Sequence, residues 1–125
     1  MNARDHIRKI ESLEKSALKL NEEDYEALVE IYMLISAHYI NVALHELDVI
    51  KQNTDIKHNQ MFSFLKEGDK LGRDTELVRD SMKKLDELRP SHVYGKGENG
   101  ETENKAKSYY KNIKKACEDI IKNER

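Results

Sequence analysis

Apolar residues recur every three or four positions through most of this chain, and nowhere do they alternate in the strict twos of a strand. The longest such stretch runs from about Asn21 to Gln52, without Gly or Pro. Tyr25, Leu28, Tyr32, Ile35, Tyr39, Ala43, Leu47 and Ile50 mark its apolar face. A helix of about 30 residues would run roughly 45 Å, the length of a small domain. Before it, Ile7, Ile10, Leu13, Ala17 and Leu20 predict an amphipathic helix over Ala3 to Lys19. Asn21 then caps the central helix, with Glu22, Glu23 and Asp24 in its positive first turn. So short a connection predicts that the two helices run antiparallel.

The central helix is expected to end near Gln52-Asn53. Thr54-Asp55 would cap a third, shorter helix through Met61, Phe62 and Leu65, and Gly68 and Gly72 mark the break after it. A fourth helix starts at Asp74 or Thr75, carries Leu77, Val78, Met82, Leu85 and Leu88, and stops before Pro90. From Pro90 to Glu101 comes the one clear loop, with three of the five glycines. Thr102 would cap a last helix reaching Asn123, with Ala106, Tyr109, Tyr110, Ile113, Ala116, Cys117, Ile120 and Ile121 on one stripe. The fold class expected is all-α: a single domain over residues 1–125, an antiparallel four-helix bundle with an additional short helix and one long central helix.

Composition narrows the function only by exclusion. The 125 residues suit one core, and 38% apolar against 37% charged residues fits helices with solvated faces. A formal charge of −2 leaves no overall nucleic-acid footprint, although a local basic patch is compatible with it. Cys117 is the sole cysteine, so no intrachain disulfide forms. The N-terminal stretch lacks a signal-peptide core, and the most apolar run, Ile31 to Ile35, is too short to span a bilayer. A cytoplasmic protein without membrane association is expected.

Three groups of residues bear on chemistry. His38, Asn41, His45 and Asp48 share one strip of the central helix, and a metal would need a further ligand such as His58 or His92. Whether His38, His45 and His58 converge is open from sequence; the plainer reading is a polar seam, so no metal and no cofactor is expected. Arg89, His92 and Tyr94 crowd the end of the fourth helix in LRPSHVYG and form the candidate ligand site, with Arg89 and His92 the candidate catalytic pair. Alternatively, Arg89 and His92 satisfy the last carbonyls of that helix. Lys107, Lys111 and Lys114 lie along one face of the last helix, where they would attract phosphates or simply meet solvent. Heptad-spaced Tyr25, Tyr32 and Tyr39 read as core.

The order of SAHYINVALHELDVI, then HNQMFSFL, then a helix ending LRPSHVYG, then a Tyr-rich amphipathic helix, resembles the HEPN and HEPN-like helical domains. The resemblance runs from about Leu34 to the C-terminus. It implies a bundle that dimerises through its long helices, and the apolar surplus of the central helix points the same way. Many such proteins are ribonucleases of toxin–antitoxin or phage-defence systems, or partners of small nucleotidyltransferases. The active members place an Arg with four to six residues between it and a His. Here only Pro90 and Ser91 separate Arg89 from His92. The expectation is therefore a homodimeric, non-catalytic binding or accessory module for a nucleotide, RNA or a partner protein. A metal-independent ribonuclease using Arg89 and His92 is the alternative, and a helical scaffold without ligand the third.

Overall fold

The computed structural model describes residues 1–89 and 99–124. Among them are five α-helices and no strand: α1 (Ala3–Leu18), α2 (Tyr25–Glu46), α3 (Met61–Lys66), α4 (Thr75–Glu87) and α5 (Asn99–Glu124). The all-α fold is as the periodicity predicts. α1 starts where Asn2 accepts a hydrogen bond from the Asp5 backbone, and it turns over into α2 through a short 3-10 turn, Glu22–Asp24. Asn21 and Asp24 form a reciprocal capping box at that turn.

α2 is the axis of the bundle. It packs most extensively on α5, then on α1, while α4 closes against α5 and α3. His6 near the start of α1 meets His38 late in α2, as an antiparallel hairpin requires. Tyr32 meets Glu103 and Tyr110, and Lys84 of α4 sits over Tyr109. Thirteen of the 22 residues of α2 are buried, among them Met33, Ile35, Ile40 and Leu44. The apolar surplus that pointed to a dimer is thus largely covered inside one chain. Over an 18-residue window α2 has a mean hydropathy of 1.5, so by length and composition it could cross a membrane, contrary to what its short apolar run suggested. In the bundle 72% of that window is buried against the other helices.

The helix stops earlier than its pattern implies, at Glu46 rather than near Gln52. Asp48 takes a left-handed φ of 57°, its N–H reaches His45 O and the Val49 N–H reaches Leu44 O at 2.9 Å. This is a Schellman stop with Asp where Gly is usual. The residues after it fold back along α1 and α2 instead of continuing outward. Thr54 and Asp55 consequently cap nothing: a 3-10 turn, His58–Gln60, leads into α3 without a side-chain cap. Thr102 is likewise buried inside α5, three residues past its start, and is not its N-cap.

Cys117 is fully buried in α5. Burial pushes its thiol pKa up, with Glu118 and Asp74 acting in the same direction. A thiol-reactive dye is expected to leave the native protein unlabelled over minutes and to label one equivalent once denaturant is added. Rapid native labelling, followed by absorbance, would show that α5 opens locally.

Candidate functional site

Of the predicted ligand site, His92 and Tyr94 lie outside the described residues. Arg89 sits just past the C-terminal end of α4, half-buried. Its Nε donates to Glu30 of α2 at 2.9 Å, its Nη1 donates to Asp86 at 3.2 Å, and His58 Nε2 lies 3.4 Å from that same Nη1. The hydrogen bond to Glu30 raises the guanidinium pKa; burial opposes it and the bond to Asp86 adds to it. Two carboxylates therefore already balance the charge that was to receive a phosphate. Arg89 ties α4 to α2, and His58 belongs with it instead of with the other histidines.

The histidines of α2 find different partners. Because α2 ends at Glu46, the chain from Asp48 to Lys57 returns beside α1, where the Asn41 side chain holds it. Asn41 Nδ2 donates to Ile56 O at 3.0 Å and the Ile56 N–H donates to Asn41 Oδ1 at 2.8 Å, a two-bond clamp resembling one rung of a sheet. The clamp sets Asp55 between α1 and α2. There Asp55 Oδ1 is 2.7 Å from His6 Nε2 and 3.4 Å from His45 Nε2, while Oδ2 accepts from the Met1 amino group at 2.8 Å. On the far side of its ring, His6 Nδ1 lies 2.8 Å from His38 Nδ1.

His6 and His45 are each only 2% exposed. Burial pushes His38 down to about 4, helped by His6 and Lys9, and pushes His6 down although Asp55 pulls it up. Burial would raise Asp55, but the Met1 ammonium and His6 hydrogen bonds outweigh it and hold the carboxyl at about 2. At neutral pH an ionised Asp55 carboxylate thus faces a His6 ring that burial keeps neutral. Sequence reasoning placed His38 and His45 on one strip but missed both partners. His6 repeats with Ile10, Leu13 and Ala17 on the inward stripe of α1, and a His on that stripe was the available signal. Asp48, placed on the strip, lies beyond the helix and is exposed.

A third feature is a groove of about 930 Å³ between α1 and α5. These helices flank α2 without close packing between them, and Leu28, Tyr32 and Ile35 of α2 form the floor. Tyr32 and Tyr110 stack with ring centroids 5.0 Å apart. Glu14 of α1 bridges the groove, accepting from Tyr110 and, at 2.8 Å, from Lys114. Glu103 is buried and accepts from the Tyr32 hydroxyl. With those two acids engaged, Lys107, Lys111 and Lys115 line the rim against the carboxylate of Glu118. The lysine face read from sequence as solvated thus borders an aromatic and aliphatic trough.

A scan against protein-family models finds no match, and searches of curated proteins and of solved structures find no significant similarity to this chain.

Proposed function

We propose that this chain is a HEPN-like helical module that binds a phosphate-bearing ligand, a nucleotide or a short RNA segment, and performs no reaction on it. The observation that carries this reading is the groove between α1 and α5, where a rim of lysines stands over a floor containing Tyr32 and Leu28. Ammonium groups attract phosphate oxygens, and an apolar or aromatic floor accepts a base. The engagement of Arg89 by Glu30 and Asp86 supports a non-catalytic role, since a ribonuclease would need that guanidinium on the scissile phosphate. The ligand seat accordingly moves from the end of α4 to the groove. The homodimer is carried by the HEPN resemblance alone, because α1 and α5 cover most of the apolar surface of α2 within one chain.

The test is thermal shift and fluorescence anisotropy with labelled ATP, GTP and a short single-stranded RNA. Binding is expected to raise the melting temperature by mass action and to weaken with salt. A Lys107→Glu, Lys111→Glu double variant is expected to weaken it at least tenfold. No shift with any of the three at millimolar concentration would sink the groove reading. RNA cleavage that persists in EDTA and disappears in Arg89→Ala would replace it with the ribonuclease. Light scattering of the same samples at micromolar concentration should give twice the chain mass, and a monomer would remove the dimer.

A further inference from the structure

We infer that His6, His45 and Asp55 form a binding site for a divalent transition-metal ion of the zinc class, with His38 holding His6 in position. The two ring nitrogens and one carboxylate oxygen all lie within 4.8 Å of one another, and they come from α1, α2 and the returning loop. Four-coordinate zinc with bonds of about 2.0–2.1 Å separates its ligand atoms by roughly 3.3 Å, so closure needs only small side-chain rotations. Two imidazole nitrogens and a carboxylate oxygen favour Zn²⁺, Co²⁺ or Ni²⁺ over Mg²⁺ and Ca²⁺, which take mainly oxygen.

Two further features fit an ion better than a hydrogen-bond network alone. The contact of His45 Nε2 with Asp55 is long, at 3.4 Å, and the other nitrogen of that ring, Nδ1, is buried with no hydrogen-bond partner. At 3.4 Å the Asp55 oxygen is a weak hydrogen-bond partner for a fully buried ring nitrogen. A metal bond at Nε2 would replace that weak contact and leave the ring proton on Nδ1.

Second, His6 carries the orienting partner common to metal-bound histidines. With a metal on Nε2, its Nδ1 holds the ring proton and donates it to His38 Nδ1, the pair already 2.8 Å apart. The Met1 amino group occupies Oδ2 of Asp55 and leaves Oδ1 to face the histidines. Because the Asp55 side chain is one-third exposed, the fourth coordination position opens toward solvent, where a water would complete it. The inference is independent of the groove, which uses none of these residues.

The experiment takes the untagged full chain, stripped with chelator, and titrates it with Zn²⁺ by calorimetry and with Co²⁺ by visible absorption. One equivalent is expected, with the intense visible bands of four- or five-coordinate Co²⁺ and a raised melting temperature. Asp55→Asn and His45→Gln should each weaken Zn²⁺ at least tenfold, and His38→Gln should weaken it by about 10- to 100-fold while keeping the 1:1 stoichiometry. Asp55→Asn is the arm that survives if a buried His variant fails to fold, because Asp55 is at the surface. No 1:1 binding, or binding that survives Asp55→Asn, overturns the site; loss on His58→Ala with Asp55→Asn unaffected overturns it in favour of a site elsewhere.

Discussion

Asn41→Leu is expected to destabilise the protein by about 2–4 kcal/mol, which at this chain length lowers the melting temperature by roughly 8–15 °C. Leu fills nearly the same volume, so no cavity accounts for the loss. The cost comes from Ile56, whose N–H and C=O both lose the partner supplied by Asn41 and are only partly reached by water. A third bond, from Asn41 Nδ2 to Ala37 O, falls within α2 and its loss matters less, because that carbonyl also belongs to the helix ladder. The effect is local before it is global. Once the clamp is gone, the segment from Asp48 to Lys57 is held by Asp55 and by Gln52, whose Oε1 accepts from the Ala3 N–H. Trypsin should then cut at Lys51 or Lys57 under conditions where the parent protein resists. A denaturation midpoint within about 0.5 kcal/mol of the parent, with unchanged proteolysis, would mean that water replaces the clamp at no cost.

Raising the pH beyond 10 is expected to unfold the bundle steeply. Burial, reinforced by Glu103, pushes the Tyr32 hydroxyl up to about 12. Burial also pushes Tyr39 and Tyr110 upward, with Glu14 adding to both. All three phenols therefore keep their protons in the folded state after the unfolded chain, near its ordinary value of about 10, has begun to lose them. Their contribution is complete below pH 10 and falls as pH rises, since the folded state then binds more protons than the unfolded one. Each raised phenol adds a slope of about 1.4 kcal/mol per pH unit, and three together approach about 4, against a total stability of about 5–15 kcal/mol. The tyrosinate absorbance near 295 nm contributed by these three of the six tyrosines should rise together with the loss of helical circular dichroism. Tyr32→Phe, which removes one titrating group, should move that midpoint to higher pH. Smooth tyrosine ionisation with the helices intact would contradict the burial argument.

The helices were legible because their signal is repetitive: Leu28, Tyr32, Ile35 and Tyr39 declare one face many times over. Singular events were not. The stop of α2 depends on one residue, Asp48, in a left-handed conformation that Gly or Asn usually signals. Missing it lengthened the helix, placed Asp48 on a strip it never joins, and hid the return of Asp55 to His6 and His45. Thr102 has the chemistry of a cap, but tertiary packing buries it and lets α5 begin earlier. Arg89 was legible as a charged residue at a helix end, but its ion pair was not, because Glu30 is 59 positions away and no local pattern announces it. The groove escaped for a related reason. Its lysines were visible along α5, but the spacing of α1 from α5 is a property of the packed bundle.

The dominance of the α2–α5 contact also shapes how the chain is made. α1 and α2 can pair as soon as they leave the ribosome, since only a short turn joins them. α5, the last of the five described helices, covers the other flank of α2. Until it emerges, a helix with membrane-like hydropathy has one apolar side bare. Nascent chains paused after α4 should therefore be the species that chaperones hold, and a slow stretch of translation at that point would lengthen the period in which this protein aggregates or strays to a lipid surface.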